Sequence, residues 1–297
     1  MITSTKNPRI VEARKLTDRK HRQRQNRFLV EGLQLLSLAV EVMDTPQGQT
    51  RVKPLELFYS EELFTGETAP RLLHQLTQAG AEAIPVAPHV LDTLSERNVS
   101  QGLAATFALS ELEWSLDELQ RGGEARRRGG EEVVTRRDQS YSSPPCLLLI
   151  FDKLQDPGNL GTLIRTADAV GVQAVILLEP CVDPFDPKTV RGTMGSLFTV
   201  PFTRTKNAGE VLSRLAEKGY RLVGADGRQG EPPWQSDVLT GSVALVLGNE
   251  ARGLSPELRP YLQDYVRLPL RGHAESLNVS VAGGTLMYEW LRVNSEM

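Results

Sequence analysis

From Cys146 onward, short and almost unbroken apolar runs alternate with helical stretches, and few architectures accept that pattern. The runs are "CLLLIF", "QAVILL", "FTVPF", "YRLVGA", "SVALVLG" and "DYVRLP". Among them lie a helix from about Asn159, one near 187–197, "AGEVLSRLAEKG", and a last helix from about 277. A strand with one wet face alternates apolar and polar residues; one that is apolar at successive positions is buried on both faces. The pattern therefore predicts a parallel sheet covered by helices on each side.

A smaller α/β domain precedes it. Between 28 and 110, strand-like runs ("RFLVEG", "PLELFYS", "AEAIPVA", "GLAATFAL") alternate with "LQLLSLAVEVM", "APRLLHQLTQAG" and "PHVLDTLSER". The stretch "WSLDELQRGGEARRRGGEEVVTRRDQSYSSPP" then loses apolar periodicity and fills with Gly, Arg, Glu and Ser, a composition that buries too little surface to order itself. The boundaries read as a first domain over 1–113, a flexible linker over 114–145 and a second domain over 146–297.

Net charge is −3, which argues against a protein coated with nucleic acid over its whole surface. Residues 1–30 nevertheless carry nine Lys or Arg against Glu12 and Asp18, a local charge of +7 that leaves −10 for the rest. Such segregation suits phosphate binding, with Lys6, Arg9, Arg14, Lys15, Arg22 and Arg24 as candidate contacts; the alternative is a solvated helix with a charged face. Cys146 and Cys181 fit no metal or disulfide spacing and the four histidines are scattered, so no metal is expected. No run approaches the roughly 20 apolar residues of a membrane span, and the N-terminus is charged where a signal peptide would be apolar, so a cytoplasmic location and no membrane partner are expected.

The stretch "FDKLQDPGNLGTLIRTADAVGVQAVILLE", residues 151–179, has the order strand, turn, helix, strand. A dinucleotide fingerprint needs G-x-G-x-x-G directly after the strand and an acid about 20 residues on. Glu179 meets the second requirement. The turn, with only Gly158 and Gly161 in a long polar segment, fails the first. Along the helix Leu160, Leu163, Ile164, Ala167 and Val170 form an apolar stripe, while Asn159, Thr162 and Arg165 line a polar edge. Arg165 is either a solvated arginine behind an Asn159 N-cap or a functional group.

Two later segments repeat the grammar of strand, glycine-bearing loop, helix. "SVALVLGNEARGLSPEL" breaks at Gly248 and places Glu250 beyond the carboxyl end of a strand, where parallel α/β sheets bind ligands; "SPEL" is a plausible helix start. "DYVRLPLRGHAESLNVSVAGGTLMYEWLRV" carries Ser276 and Asn278 near the start of its helix, where Ser276 could be an N-cap. That helix bears Val279, Ala282, Leu286, Trp290 and Val293 on one stripe and Leu277, Val281 and Met287 on another. It is expected to be buried on more than one side and to meet a second subunit. Gly283 and Gly284 imply close approach of another backbone.

Taken together, "DPGNLGTLIRTADAVG", "LVLGNEARGLS" and "LPLRGHAESLNVSVA" resemble the three motifs of the SpoU (TrmH-like) RNA 2′-O-ribose methyltransferases of the SPOUT superfamily. "STKNPRIVEARKL" with "NRFLVEG" resembles that family's N-terminal substrate-binding domain, an L30e-like α/β sandwich. The resemblance implies an α/β protein whose C-terminal parallel-sheet domain is tied in a deep trefoil knot. It implies S-adenosylmethionine as cofactor, ribosomal or transfer RNA as partner, and a homodimer formed through the C-terminal domain. It assigns Arg165, Asn159, Glu250, Ser276 and Asn278 to the catalytic centre, and Leu247, Gly248, Leu268, Leu277 and Asn278 to the cofactor pocket. The third motif opens "LPL" where the family tends to have "IPM", which keeps the apolar volume.

A guanidinium with a pKa above about 12 is a poor base. The expected role of Arg165 is therefore to clamp the phosphate beside the target ribose and stabilise the developing oxyanion, the proton leaving to that phosphate, Glu250 or water. The alternative function is a noncatalytic RNA-binding or ribosome-associated protein; intact motif residues argue against it.

Overall fold

The computed structural model describes residues 1–95, 100–119 and 145–295. The chain divides into two compact units: Met1–Glu113 with Asp183–Thr199, and Trp114–Val182 with Val200–Met297.

The first unit begins with two short helices, α1 (Pro8–Arg14) and α2 (Arg19–Gln25), and then alternates β1 (Arg27–Glu31), α3 (Leu33–Met43), α4 (Pro46–Arg51), β2 (Pro54–Tyr59), α5 (Thr68–Gln78), β3 (Glu82–Pro85), α6 (Pro88–Leu91) and β4 (Leu103–Ala108). Its sheet has the order β1-β4-β2-β3. β4 runs antiparallel to both neighbours, and β2 and β3 are parallel. The charged N-terminal segment is part of this packed unit, because Ile10, Ala13 and Leu16 from α1 and the turn after it are buried in its core.

Asp183–Thr199, which the sequence reading put wholly within the second domain, clusters with the first unit instead. The physical reason is a shared core: Phe185 lies 4.9 Å from Phe28 between ring centroids, and Phe198 lies 5.1 Å from Phe107. The helix predicted near 187–197 forms only as α8 (Pro187–Gly192), and the chain continues in turns.

The second unit holds β5 (Leu147–Asp152), α7 (Pro157–Val170), β6 (Ala174–Leu178), β7 (Phe202–Thr205), α9 (Ala208–Glu217), β8 (Arg221–Ala225), β9 (Val243–Leu247), β10 (Asp264–Val266) and α10 (Val279–Asn294). Its six-stranded sheet has the order β10-β8-β9-β5-β6-β7 and every pairing is parallel. Every residue of β5, β6 and β9 is buried, as expected of strands covered on both faces. On one face Leu148, Ile150, Ile176 and Val246 pack with Val211, Leu212 and Leu215 of α9. On the other, α7 and α10 meet over β9: a Cβ on Gly283 would lie 2.6 Å from Leu163 and 2.7 Å from Leu247. The close neighbours of Gly283 are thus side chains, not the second backbone that the sequence predicted.

The linker expected over 114–145 begins later than its composition implied. Trp114, Leu116 and Leu119 pack against the core of the second unit, and 116–119 form a helical turn. The remainder of that linker, 120–144, lies outside the described residues.

Strand order reverses between β5 and β9: β6 and β7 extend to one side of β5, while β9, β8 and β10 extend to the other. Loops leaving the carboxyl ends of strands on the two sides of such a switch point part and leave a crevice between them.

Candidate active site

The loop after β9 is shaped by backbone contacts that few residues tolerate. Asn249 and Gly253 exchange backbone hydrogen bonds of 3.0 and 2.8 Å, closing the turn, and Gly253 has φ +69°. A Cβ at position 248 would sit 2.4 Å from the carbonyl carbon of Gly253, so only glycine fits. The Asn249 side chain completes the turn, accepting from the backbone N–H of Ala251 and Arg252 at 3.0 Å each and donating to the Lys153 carbonyl at 2.8 Å. Buried Asp152, at the end of β5, accepts from the Ser255 N–H at 2.6 Å and from its hydroxyl at 3.0 Å. The two loops are thereby fixed to each other.

That arrangement brings Glu250 to the N-terminus of α7. Its carboxylate accepts from the backbone N–H of Gln155 and of Asp156 at 3.2 Å each, and from Asn159 Nδ2 at 3.1 Å. Asn159 Oδ1 in turn accepts from Asn278 Nδ2 at 2.9 Å. Asn159 is not the N-cap of α7. Asp156 is, its Oδ1 accepting from the Asn159 N–H at 2.8 Å, because Pro157 holds the residue before it in extended backbone and presets the first helical φ. The Asn159 amide is left free to bridge Glu250 and Asn278. Ser276 is likewise not the N-cap of α10. Asn278 is, accepting from the Ser280 N–H at 2.8 Å.

Beside this chain lies a cleft beyond the ends of β8, β9 and β10, lined by Leu247, Gly248, Glu250, Leu268, Ser276 and Leu277 among others. Asn278 is not among its lining residues. Three lining residues at the end of β8, Ala225, Asp226 and Gly227, were not anticipated, although "YRLVGADG" obeys the same rule of ligands beyond strand ends that pointed to Glu250. Burial pushes the Asp226 carboxyl upward. Hydrogen bonds from the Arg228 N–H and Gln229, with the charge of Arg259, outweigh that and hold it below its ordinary range. The cleft therefore offers two carboxylates, Asp226 and Glu250, one hydroxyl and an apolar wall of Leu247, Val266, Leu268 and Leu286.

Arg165 takes no part in the hydrogen-bonded chain of Asn278, Asn159 and Glu250. It is exposed on α7, on the polar edge it shares with Asn159 and Thr162, and is not among the cleft's lining residues. Its guanidinium has no hydrogen bond or ion pair among the described residues.

The candidate RNA contacts divide into three kinds. Arg22 is the correction: it is only 1% exposed, and donates from Nη2 and Nε to Asp183 at 2.8 and 3.2 Å and from Nη1 to the carbonyls of Leu16 and Thr17 at 2.8 Å each. A charge so held is structural. Arg9 is bidentate to Glu82 at 2.6 and 2.7 Å, and Lys15 and Arg24 share Glu12 at 2.6 and 3.0 Å, all on the surface. Lys6 and Arg14 carry no ion pair among the described residues.

Burial pushes the Cys181 thiol up to about 12, which makes it a neutral wall group and a poor nucleophile. Among the described residues no group of three or more His, Cys, Asp and Glu could hold a metal ion, and no helix is long and apolar enough to cross a membrane.

A family model described as the SpoU rRNA Methylase family matches residues 146–288, and one described as an MRM3-like substrate binding domain matches residues 7–105. A 23S rRNA (guanosine(2553)-2′-O)-methyltransferase of Bacillus subtilis is 31% identical over 287 residues, covering 97% of this chain and 97% of the relative. A 23S rRNA (uridine(2479)-2′-O)-methyltransferase of Streptomyces viridochromogenes is 32% identical over 283 residues, covering 93% of this chain and 86% of the relative. Among solved structures, an AdoMet-bound rRNA methyltransferase of Sinorhizobium meliloti superposes with a TM-score of 0.77 at 29% identity, covering 98% of this chain and 97% of that one.

Proposed function

Since the chain belongs to the SpoU rRNA methylase family, whose reaction is S-adenosylmethionine-dependent methylation of a ribose 2′-hydroxyl in RNA, we propose that it acts on ribosomal RNA and that Asn159, Arg165, Glu250, Ser276 and Asn278 form its catalytic centre. The observation that carries this reading is the hydrogen-bonded chain Asn278–Asn159–Glu250 beside a cleft at the carboxyl ends of β8 to β10.

The cleft suits S-adenosylmethionine chemically. Leu247, Leu268 and Leu277 offer an apolar surface for adenine, the backbone at Gly248 is open to polar contacts, and ionised Asp226 suits hydroxyl or cationic partners. When bound, the cofactor supplies an electrophilic methyl group on a sulfonium. The chain's own residues position the acceptor and manage its charge. Arg165, with no protein partner to displace among the described residues, clamps the phosphate next to the target ribose and stabilises the developing oxyanion. Glu250, held by two backbone N–H groups and Asn159, takes the proton directly or through water. Ser276 and Asn278 orient the ribose. Lys6, Arg9, Arg14, Lys15 and Arg24 of the N-terminal unit meet RNA phosphates; the surface pairs of Arg9, Lys15 and Arg24 are screened by solvent, so phosphate competes with them.

The reading extends to the fold. The N-terminal unit is an L30e-like substrate-binding domain, and the segment from β9 to α10 forms the trefoil knot; the insertion of β9 between β8 and β5 and the return of α10 onto α7 support it. The protein is a cytoplasmic homodimer joined through the C-terminal unit. Leu277, Val281 and Tyr288 support this, because they stand 42%, 55% and 53% exposed in the single chain although the sequence predicted a helix buried on more than one side.

The test is transfer from labelled S-adenosylmethionine to ribosomal RNA isolated from a strain lacking the protein, with the 2′-O-methyl position mapped in both strains. One modification missing from the mutant and restored in vitro is the expected result. Transfer to transfer RNA alone would redirect the substrate, and no transfer to either would overturn the reading.

A further inference from the structure

A second cavity in the same unit has no part in the roles assigned above. Its rim includes Lys153, Gln155, Arg252 and Ser255, and its apolar surfaces include Pro180 and Val182. The loop after β9 is its common wall with the cofactor cleft: Asn249 lines both, Glu250 faces the cleft, and Arg252 faces the second cavity.

Three observations set this cavity apart. Lys153 has φ +57°, a left-handed backbone that is strained for a non-glycine residue and is held by Asn249 Nδ2 donating to the Lys153 carbonyl at 2.8 Å. Strain of that kind gathers at ligand sites. Arg252 is exposed and its side chain has no hydrogen bond or ion pair among the described residues, while Lys153 is paired with Glu257 at 2.5 Å. The rim therefore has two cations against one carboxylate, with one cation unspent. Finally, the Gln155 N–H donates to Glu250 at 3.2 Å, so a residue lining this cavity directly fixes the carboxylate beside the cleft.

An occupant that matches these groups carries an anion for Arg252, a flat apolar body for the Pro180 and Val182 surface, and polar edges for the Gln155 amide. A nucleotide has all three. We propose that this cavity is the subsite for one nucleotide of the RNA substrate, adjoining the methylated ribose, with its phosphate on Arg252 and Lys153 and its base edge read by Gln155. The inference rests on the functional reading above and adds the place where the RNA sequence next to the target is sensed.

The test uses full-length protein and a 23S RNA transcript made in vitro from the source strain's own gene. Arg252→Ala is expected to raise KM for the transcript roughly tenfold and to lower the slope of affinity against salt by about one. S-adenosylmethionine affinity stays within about twofold because Arg252 does not line that cleft. Arg252→Lys restores most of the KM. Gln155→Ala keeps the backbone donor to Glu250, so it raises KM with the salt slope unchanged and the cofactor affinity intact. Wild-type KM and salt slope in both Arg252→Ala and Gln155→Ala would overturn the subsite. If wild type transfers no methyl to this RNA, the functional reading fails by itself. The cavity is then decided by filter binding of the transcript: weaker retention by Arg252→Ala supports it, and equal retention by wild type and variant overturns it.

Discussion

Asn278 and Asn159, 119 positions apart in the chain, are joined by a 2.9 Å hydrogen bond that runs from the Asn278 amide to the Asn159 carbonyl oxygen. Because Asn159 then donates to Glu250, the donors in this chain all point toward the carboxylate, which accepts and does not give. The direction fixes both amides and leaves Glu250 as the accepting end.

Asn159→Asp reverses that relationship by setting a second carboxyl against Glu250 with no donor between them. Transfer at pH 8 is expected to fall roughly a hundredfold, with partial recovery toward pH 6 as the two carboxyls share a proton, since like charges raise one of the two pKa values. Single-turnover rates across that range check it. A flat pH profile parallel to wild type would show that Asn159 acts only in packing.

Arg165→Ala should remove transfer by roughly two to three orders of magnitude while S-adenosylmethionine binding, followed by calorimetry, stays near wild type. Methylation surviving within tenfold would reject Arg165 as a catalytic group and leave it a solvated arginine.

Gly248→Ala forces a methyl group against the backbone of Gly253, 2.4 Å away, and the closed turn from 249 to 253 must open. Cofactor affinity is expected to fall at least tenfold, with a stability loss of about 1–3 kcal/mol in urea unfolding. Gly272→Ala is the control, since a Cβ there meets nothing within 4 Å and the residue does not line the cleft.

Arg22→Ala or Asp183→Ala leaves one buried charge without its partner and should cost about 3–5 kcal/mol of stability. Arg14→Ala, on the exposed surface nearby, should leave stability within about 0.5 kcal/mol and instead lower the salt dependence of RNA binding. Equal stability losses in the two variants would mean that burial does not separate the structural cation from the binding ones.

Asp226 is held below its ordinary carboxylate range in the folded protein. Its stabilising contribution is therefore fully present above the unfolded value of about 4 and is lost as pH falls through the lower folded value. Melting temperatures of wild type and Asp226→Asn should differ at pH 7 and converge as pH falls through that lowered folded value.

Much of the architecture was legible because it is local. Continuous burial of "LLLIFD", "AVILL" and "VALVL" needs only neighbouring residues to be read, and it gave the parallel sheet. The glycine of "GNEARG" was equally legible as a break after a strand, although the reason that it must be glycine, the Gly253 backbone crossing beside it, was not. Charge counting failed at Arg22 for the converse reason: a cation in a basic segment gives no local sign that its carboxylate waits 161 positions away.

The sequence alone determined which segments are strands, which ends of those strands are glycine-opened, and which family's motifs occupy them, since hydrophobic period and short motifs are properties of adjacent residues. Only the tertiary structure decided that Asp156 and Asn278 cap the helices where Asn159 and Ser276 were candidates, that 183–199 complete the first unit's core, and that Asn278, Asn159 and Glu250 meet. Those outcomes depend on which distant segments the sheet order brings together, and no local pattern encodes that order.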